Sequence, residues 1–223
     1  MTVQLDFLKR IPYFSGVGLA DLESIKKLVF ERSANRAEMV VLEGEPAANL
    51  FFVVSGAVRV FKTSAEGKEQ ILSIVRPGES FNDVPVFDGG PNPASARTMG
   101  PVLLYGIKRN DVEAILRNHP QIASNVTKVL AKRVRQLVSL VEDLSFRRVI
   151  SRVAKILLEQ TRVETSHGPR LTQQEMAAMA GTAREVVGRS LKELEEQGAI
   201  KLDHHRIIIT DKEVLQKIME ASS

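Results

Sequence analysis

The chain has 223 residues, 43% of them hydrophobic and 26% charged, the composition of an ordinary globular protein with length for two domains. It has no cysteine, which excludes disulfides, zinc fingers, thiol nucleophiles and cysteine-held iron–sulfur clusters. The net charge of +4 lies wholly beyond residue 119, since the first 119 residues hold 14 basic and 14 acidic side chains, and such a bias suits a nucleic-acid partner.

The opening segment, MTVQLDFLKRIPYFSGVG, lacks the basic-then-apolar layout of a signal peptide. With no run of about 18 uncharged apolar residues to span a membrane, the chain is expected in the cytoplasm. From Ala20 to Phe30, Leu22, Ile25, Leu28 and Val29 recur at helical spacing and predict a short amphipathic helix. From Met39 to Lys108 the pattern changes to five short apolar runs: MVVLEG, NLFFVVSG, AVRVFKTSAEG, KEQILSIVRPG and PVLLYGIK. Gly44, Gly56, Gly67 and Gly78 fall at intervals of 11 or 12 residues, and regular short strands with glycine turns predict a β-sandwich or roll.

A long helix is predicted next. Pro120 suits its first turn, and no Gly or Pro follows until Gly168. Val126, Leu130, Val134, Leu137, Val141 and Leu144 are spaced 4, 4, 3, 4 and 3, close to a heptad seam. A rod of this kind leaves an apolar stripe that a second copy would cover, so a parallel homodimer is expected; the alternative is a helix lying on its own domain. SFRRVISRVAKILLEQT (145–161) then reads as a fresh amphipathic helix opening a second domain.

The most informative stretch is LTQQEMAAMAGTAREVVGRSLKELEEQGAI (171–200). Thr172 and Glu175 form a capping box that opens one helix, and Gly181 permits a tight turn between crossed helices. Thr182 and Glu185 repeat the capping pattern and predict a second helix running to Gln197, closed by Gly198 in a left-handed cap. Val187, Leu191 and Leu194 should face inward, with Arg184, Glu185 and Arg189 outward on the first turns. This is the layout of a helix-turn-helix, whose second helix enters the major groove by its N-terminal end. Arginine suits bidentate bonding to guanine, and glutamate accepts from cytosine N4. The same three side chains would equally serve as solvated charges, since Glu185 and Arg189 stand at ion-pair spacing. AIKLDHHRIIITD (199–211) reads as a β-hairpin wing with His204, His205 and Arg206 near phosphates. No third ligand stands beside the two histidines to make a metal site.

These segments, from the sensor-like EGEPAANLFFVVSGAVRVFKTSAEGKEQILSIVRPGESF through AKRVRQLVSLVEDLSFRRVISRVAKILL to the capped helices, resemble the cyclic-AMP receptor protein/FNR (CRP/FNR) family over essentially the whole chain. The resemblance implies an α+β fold. A β-roll sensor like that of cyclic-nucleotide-binding domains is expected over 1–119, a dimerisation helix over 120–144 and a winged helix-turn-helix over 145–223. It implies a homodimeric transcription regulator rather than an enzyme, binding double-stranded DNA under control of a small-molecule effector and meeting RNA polymerase where it activates. Arg-Glu, three residues, then Arg is the reading pattern of the cyclic-AMP receptor branch. Arg184 and Arg189 are therefore expected to read guanines, and Glu185 a cytosine, in a palindrome with TGTGA-like half-sites. The FNR branch reads with a glutamate and a serine, and Gly188 stands at the serine position. Thr172, Gln173, Thr182 and Lys192 are expected on phosphates.

The family's nucleotide cassette is degraded. Asn82 and Asp83 stand for its Gly-Glu pair, Pro93 and Ala94 occupy the place of its phosphate arginine, and only Ser95-Ala96 remain of the rest. Leu137 and Val138 replace the Thr-Ser pair that meets adenine. A buried phosphate without a charged fork loses bonds worth about 1.5–3 kcal/mol, so cyclic AMP is not expected as effector. Arg133 matches a family pocket position and suits some other anion. Phe52, Leu72, Ile74 and Phe81 are candidate walls of an apolar pocket between roll and helix. Some relatives bind haem there; His119 is the one imidazole the sensor half offers for that alternative. A cupin-type metalloenzyme is excluded by the absence of histidine from residues 1–118. A cyclic-nucleotide-binding subunit without DNA function is disfavoured by the capped helix and the wing.

Overall fold

The computed structural model describes residues 3–163, 171–203 and 206–221. The chain divides into two compact units, one of residues 1–62 and 72–136, the other of residues 63–71 and 137–223.

The first unit begins with α1 (Leu5–Arg10), a 3₁₀ turn (Pro12–Phe14) and α2 (Leu19–Lys26). The helix expected through Phe30 ends at Lys26. Val29 and Phe30 instead open β1 (Val29–Ala34), where the backbone groups are satisfied by antiparallel pairing, Val29 opposite Ile107. The five anticipated runs form β2 (Met39–Val41), β3 (Asn49–Ser55), β4 (Val58–Thr63), β5 (Glu69–Val75) and β8 (Val102–Lys108). Two short strands were not anticipated, β6 (Ser80–Phe81) and β7 (Ser95–Thr98), nor were α3 (Asp83–Asp88) and α4 (Arg109–Asn118). One sheet runs β1-β8-β3-β6 and the other β2-β7-β4-β5, which makes a roll.

The first sheet is buried on both faces, and that explains why β3 and β8 read as continuous apolar runs rather than alternating ones. Leu50, Phe52, Tyr105 and Ile107 face a core built with Leu8, Tyr13, Phe14, Leu22, Ile115 and Ile122. Their neighbours Phe51, Val53, Val102 and Leu104 face a second core, with Val58, Val75, Phe81 and Ala96. Side chains alternate across a strand, so one run serves two cores.

Helix α5 (Pro120–Phe146) passes from the first unit into the second, two residues beyond the expected end at 144. Its first turns belong to the roll: Ile122 and Val126 are buried in the helical-side core, and Leu130 packs on it. Val126 and Leu130 therefore leave the predicted seam. Val134, Leu137, Val141 and Leu144 stay exposed, as do Val138 and Phe146.

In the second unit, α6 (Val149–Val163) buries Ile150, Val153, Ala154 and Leu157. Against them lie α7 (Gln173–Ala180), α8 (Arg184–Glu196), the hairpin β9 (Ile200–Asp203) and β10 (Arg206–Ile209), and α9 (Lys212–Glu220). Met176, Val187, Leu191, Leu194 and Leu215 complete this core. Among the described residues, no helix is long and apolar enough to cross a membrane.

Candidate nucleic-acid interface and sensor site

Helix α7 starts as expected. The Thr172 hydroxyl accepts the Glu175 amide at 3.2 Å, and the Glu175 carboxylate accepts the Thr172 amide at 2.7 Å, a reciprocal capping box. Gly181 ends the helix at φ 65°, and space is tight there: a Cβ would lie 2.6 Å from the Leu144 side chain. Glycine serves both the turn and the close approach.

Helix α8 opens differently from its sequence signature. Its N-cap is Ala183, and no side chain caps it, so the Thr182–Glu185 pair is not a capping box. Helix α8 ends at Glu196, and Gly198 adopts the expected left-handed conformation at φ 74°. The burial pattern separates its two faces. Val187, Ser190, Leu191 and Leu194 are buried, whereas Arg184, Glu185, Arg189 and Lys192 are exposed. Glu185 and Arg189 do not form the ion pair their spacing allows, and among the described residues no hydrogen bond or ion pair holds Arg184, Glu185 or Arg189. The bare cationic and acceptor groups thus sit on the first two turns of a helix whose other face is locked into a core. Gln173 is exposed on the first turn of α7, and Arg206 is exposed at the start of β10. His204 and His205 lie outside the described residues.

The junction of α5 and α6 is held by charge. Asp143 is buried, accepts from Arg147 Nε at 2.9 Å and is paired with Lys155. Lys155 also donates to Ser139 Oγ at 3.1 Å. Arg152 donates from Nε to the Ala180 carbonyl at 2.8 Å and from Nη1 to the Arg147 carbonyl at 2.5 Å. Burial pulls the Arg152 pKa down and Asp143 opposes that. Sequence reading placed a hinge near Asp143–Phe146 but missed Arg147, Arg152 and Lys155, whose partners are distant main-chain oxygens. Basic residues at helical spacing on α6 were the available signal.

In the first unit, the predicted pocket walls do not share one cavity. Phe52 faces the helical-side core, while Phe81 stacks on Phe51 in the other core, centroids 5.3 Å apart. Leu72 and Ile74 are half-buried on β5. Leu137 and Val138 are exposed on the part of α5 that belongs to the second unit. An apolar cavity bounded by Tyr13, Phe87, Ile115 and Val126 holds about 10 Å³, room for about one water molecule and not for an organic effector.

The polar members of the predicted pocket do converge. Asp83 accepts a hydrogen bond from the Tyr13 hydroxyl on one oxygen and is paired with Arg133 Nη1 on the other. Arg133 Nη2 donates to the Ser80 carbonyl and, at 3.0 Å, to Ser80 Oγ. Burial first, and the neighbouring Asp83 charge second, raise the Tyr13 pKa far above that of a free tyrosine. Asn82, at φ 64°, anchors the turn by donating to the Asn49 carbonyl at 3.0 Å. Ser95 Oγ accepts the Glu43 amide at 3.1 Å. Tyr13 escaped sequence reading because it lies 70 residues from its partner. His119 caps the end of α4, its Nδ1 3.8 Å from the Asp21 carboxylate.

Comparison with known proteins agrees with this architecture. Residues 31–119 match the cyclic nucleotide-binding domain and residues 151–218 the Crp-like helix-turn-helix domain. The chain is 31% identical over 219 residues to a CRP-like cAMP-activated global transcriptional regulator of Mycobacterium tuberculosis, covering 95% of this chain and 98% of that protein. It is 30% identical over 211 residues to the cyclic AMP receptor protein of Thermus thermophilus, with the same coverage of 95% and 98%. Its fold is like that of FixK2 from Bradyrhizobium japonicum, with a TM-score of 0.77 at 24% identity, covering 87% of this chain and 99% of that one. A sensor roll, a long helix and a helix-turn-helix with a free reading face, joined to full-length likeness of this kind, place the chain in the CRP/FNR family of DNA-binding transcription regulators.

Proposed function

We propose that the chain works as a homodimer that reads a palindrome with TGTGA-like half-sites, under control of an effector other than cyclic AMP. The observation that carries the DNA reading is the bare face of α8. Arg184, Glu185 and Arg189 are exposed and unpaired among the described residues, in the order the cyclic-AMP receptor branch uses. Arg184 and Arg189 would bond guanine O6 and N7, and Glu185 would accept from cytosine N4. Thr172, Gln173, Thr182, Lys192, His204, His205 and Arg206 would take the phosphates.

The dimer reading rests on the exposed stripe Val134, Leu137, Val141 and Leu144. A second copy laid along it would set two recognition helices about one helical turn of DNA apart, roughly 34 Å. The named relatives are cyclic-AMP proteins, and this chain departs from their chemistry at two places. Pro93 and Ala94 offer no guanidinium for a cyclic phosphate, and Leu137 and Val138 offer no polar atom for adenine. An effector that binds the DNA-competent state more tightly would shift the population toward it.

Fluorescence anisotropy on a TGTGA palindrome and a scrambled duplex tests this reading. The palindrome should bind at least about a thousandfold tighter at moderate salt, with no change on adding cyclic AMP. Equal affinity for both duplexes would refute the base-reading assignment, and a large gain with cyclic AMP would refute the effector assignment.

A further inference from the structure

Resting on that regulator reading, we infer that the Asp83 carboxylate is a tethered ligand. It fills from within the chain the seat at Arg133 that an anionic effector would need, so DNA binding is independent of cyclic nucleotides and other small anions. The seat is complete without any added molecule. The Asp83 side chain is 0% exposed, and each of its oxygens has a chain partner, Tyr13 on one and Arg133 on the other. The guanidinium is filled as well: one terminal nitrogen serves Asp83 and the other the Ser80 carbonyl and hydroxyl.

The backbone is built to present that carboxylate. Asn82 holds the left-handed conformation that asparagine tolerates, and its amide bonds the Asn49 carbonyl, which fixes the entry to α3. Asp83 is the first residue of that helix, yet its side chain turns inward to Arg133 and Tyr13. The three partners come from separate parts of the first unit: the N-terminal 3₁₀ turn, the β6–α3 corner and α5. Asn125, also on α5, donates to the Tyr13 and Ser15 carbonyls at 3.1 and 2.7 Å, a second tie between the same turn and the same helix. The tethered carboxylate thereby sets where α5 lies against the roll.

An entering anion would have to displace a carboxylate that is already desolvated and leave it buried without its cation, the costliest way to break such a pair. The competitor is intramolecular and pre-positioned, so its effective concentration exceeds that of a dissolved metabolite. An effector of this regulator is therefore uncharged or acts away from Arg133.

The test uses the full chain, with formate and acetate as probes. Asp83→Ala leaves the Arg133 and Tyr13 donors around a space the size of a carboxylate. In a thermal melt without DNA, Asp83→Ala should gain several degrees with millimolar formate or acetate. The wild type and Asp83→Ala/Arg133→Gln should not. On the palindrome, Asp83→Ala should bind about tenfold more weakly and recover with formate. Wild-type affinity should change less than twofold with formate, phosphate, cyclic AMP or cyclic GMP. Should Asp83→Ala fail to fold, Asp83→Asn keeps the shape and frees the Arg133 charge, and its melt should rise with formate where the wild type's does not. A threefold or larger wild-type response to any of these anions overturns the inference, as does a variant melt indifferent to formate. Formate rescue of the melt without any palindrome binding leaves the tethered ligand standing and removes the DNA reading instead.

Discussion

Arg152 donates to the carbonyl of Ala180 at 2.8 Å, so a guanidinium on α6 holds the last turn of α7 immediately before the helix-turn-helix corner. The same side chain bonds the Arg147 carbonyl at the end of α5. One residue therefore links the dimer-helix end to the reading head through two main-chain oxygens. Arg152→Met should lose about 2 kcal/mol of stability, the scale of a charged hydrogen bond. DNA affinity should fall with it, while Arg152→Lys recovers only part because a lysine lacks the planar fork. Chemical denaturation and anisotropy on the palindrome measure both.

Gly181 stands at φ 65° with the Leu144 side chain against it. Gly181→Ala should cost about 1–3 kcal/mol, from backbone strain and from the clash. Gly188→Ala, with nothing within 4 Å, should leave stability nearly unchanged. A pair of melting curves separates the two positions.

Tyr13 gives the fold a dependence on alkaline pH. Its folded pKa is raised above the ordinary value of 10.0 by burial and by Asp83. The folded state therefore keeps a proton that the unfolded state releases. The stabilisation is fully present below pH 10 and declines above it, by up to about 1.4 kcal/mol per pH unit. Tyr13→Phe should show a shallower alkaline loss of stability by as much as one proton. Denaturant midpoints between pH 9 and 11 give the slopes for both proteins.

Val141 is 63% exposed and Leu137 47%, on the part of α5 beyond its contact with the roll. Leu137→Asp/Val141→Asp should place charges in the apolar dimer seam and convert the protein to monomer in sedimentation velocity. Val126→Asp, by contrast, should unfold the first unit, because Val126 is a core residue.

What was legible in the sequence was what is local. The capping box of Thr172 and Glu175, the turn at Gly181 and the inward set Val187, Leu191 and Leu194 are separated by a few residues, and all three stand as read. The glycine-spaced runs gave away the roll for the same reason. Locality also misled: Thr182 and Glu185 have capping spacing, but the chain starts α8 one residue later at Ala183. Strand β1 was hidden because ERSA carries no alternation, and its place is set by β8, more than 70 residues away. The ends of α5 divide by environment rather than by sequence, since Val126 and Val141 are the same residue type with opposite burial. Asp83 and Arg133 were each noticed as pocket candidates, yet only the fold shows that they satisfy one another.

The central claim is that α8 reads bases through Arg184, Glu185 and Arg189, and selection from a random duplex library with the full-length protein tests it most directly. The account predicts enrichment of a palindrome with TGTGA-like half-sites, with tolerance spreading at one base pair per half-site when Arg189 is replaced by Ala, at a cost of about 1–3 kcal/mol. Enrichment of half-sites of the FNR type, or no enrichment over the starting library, would contradict it.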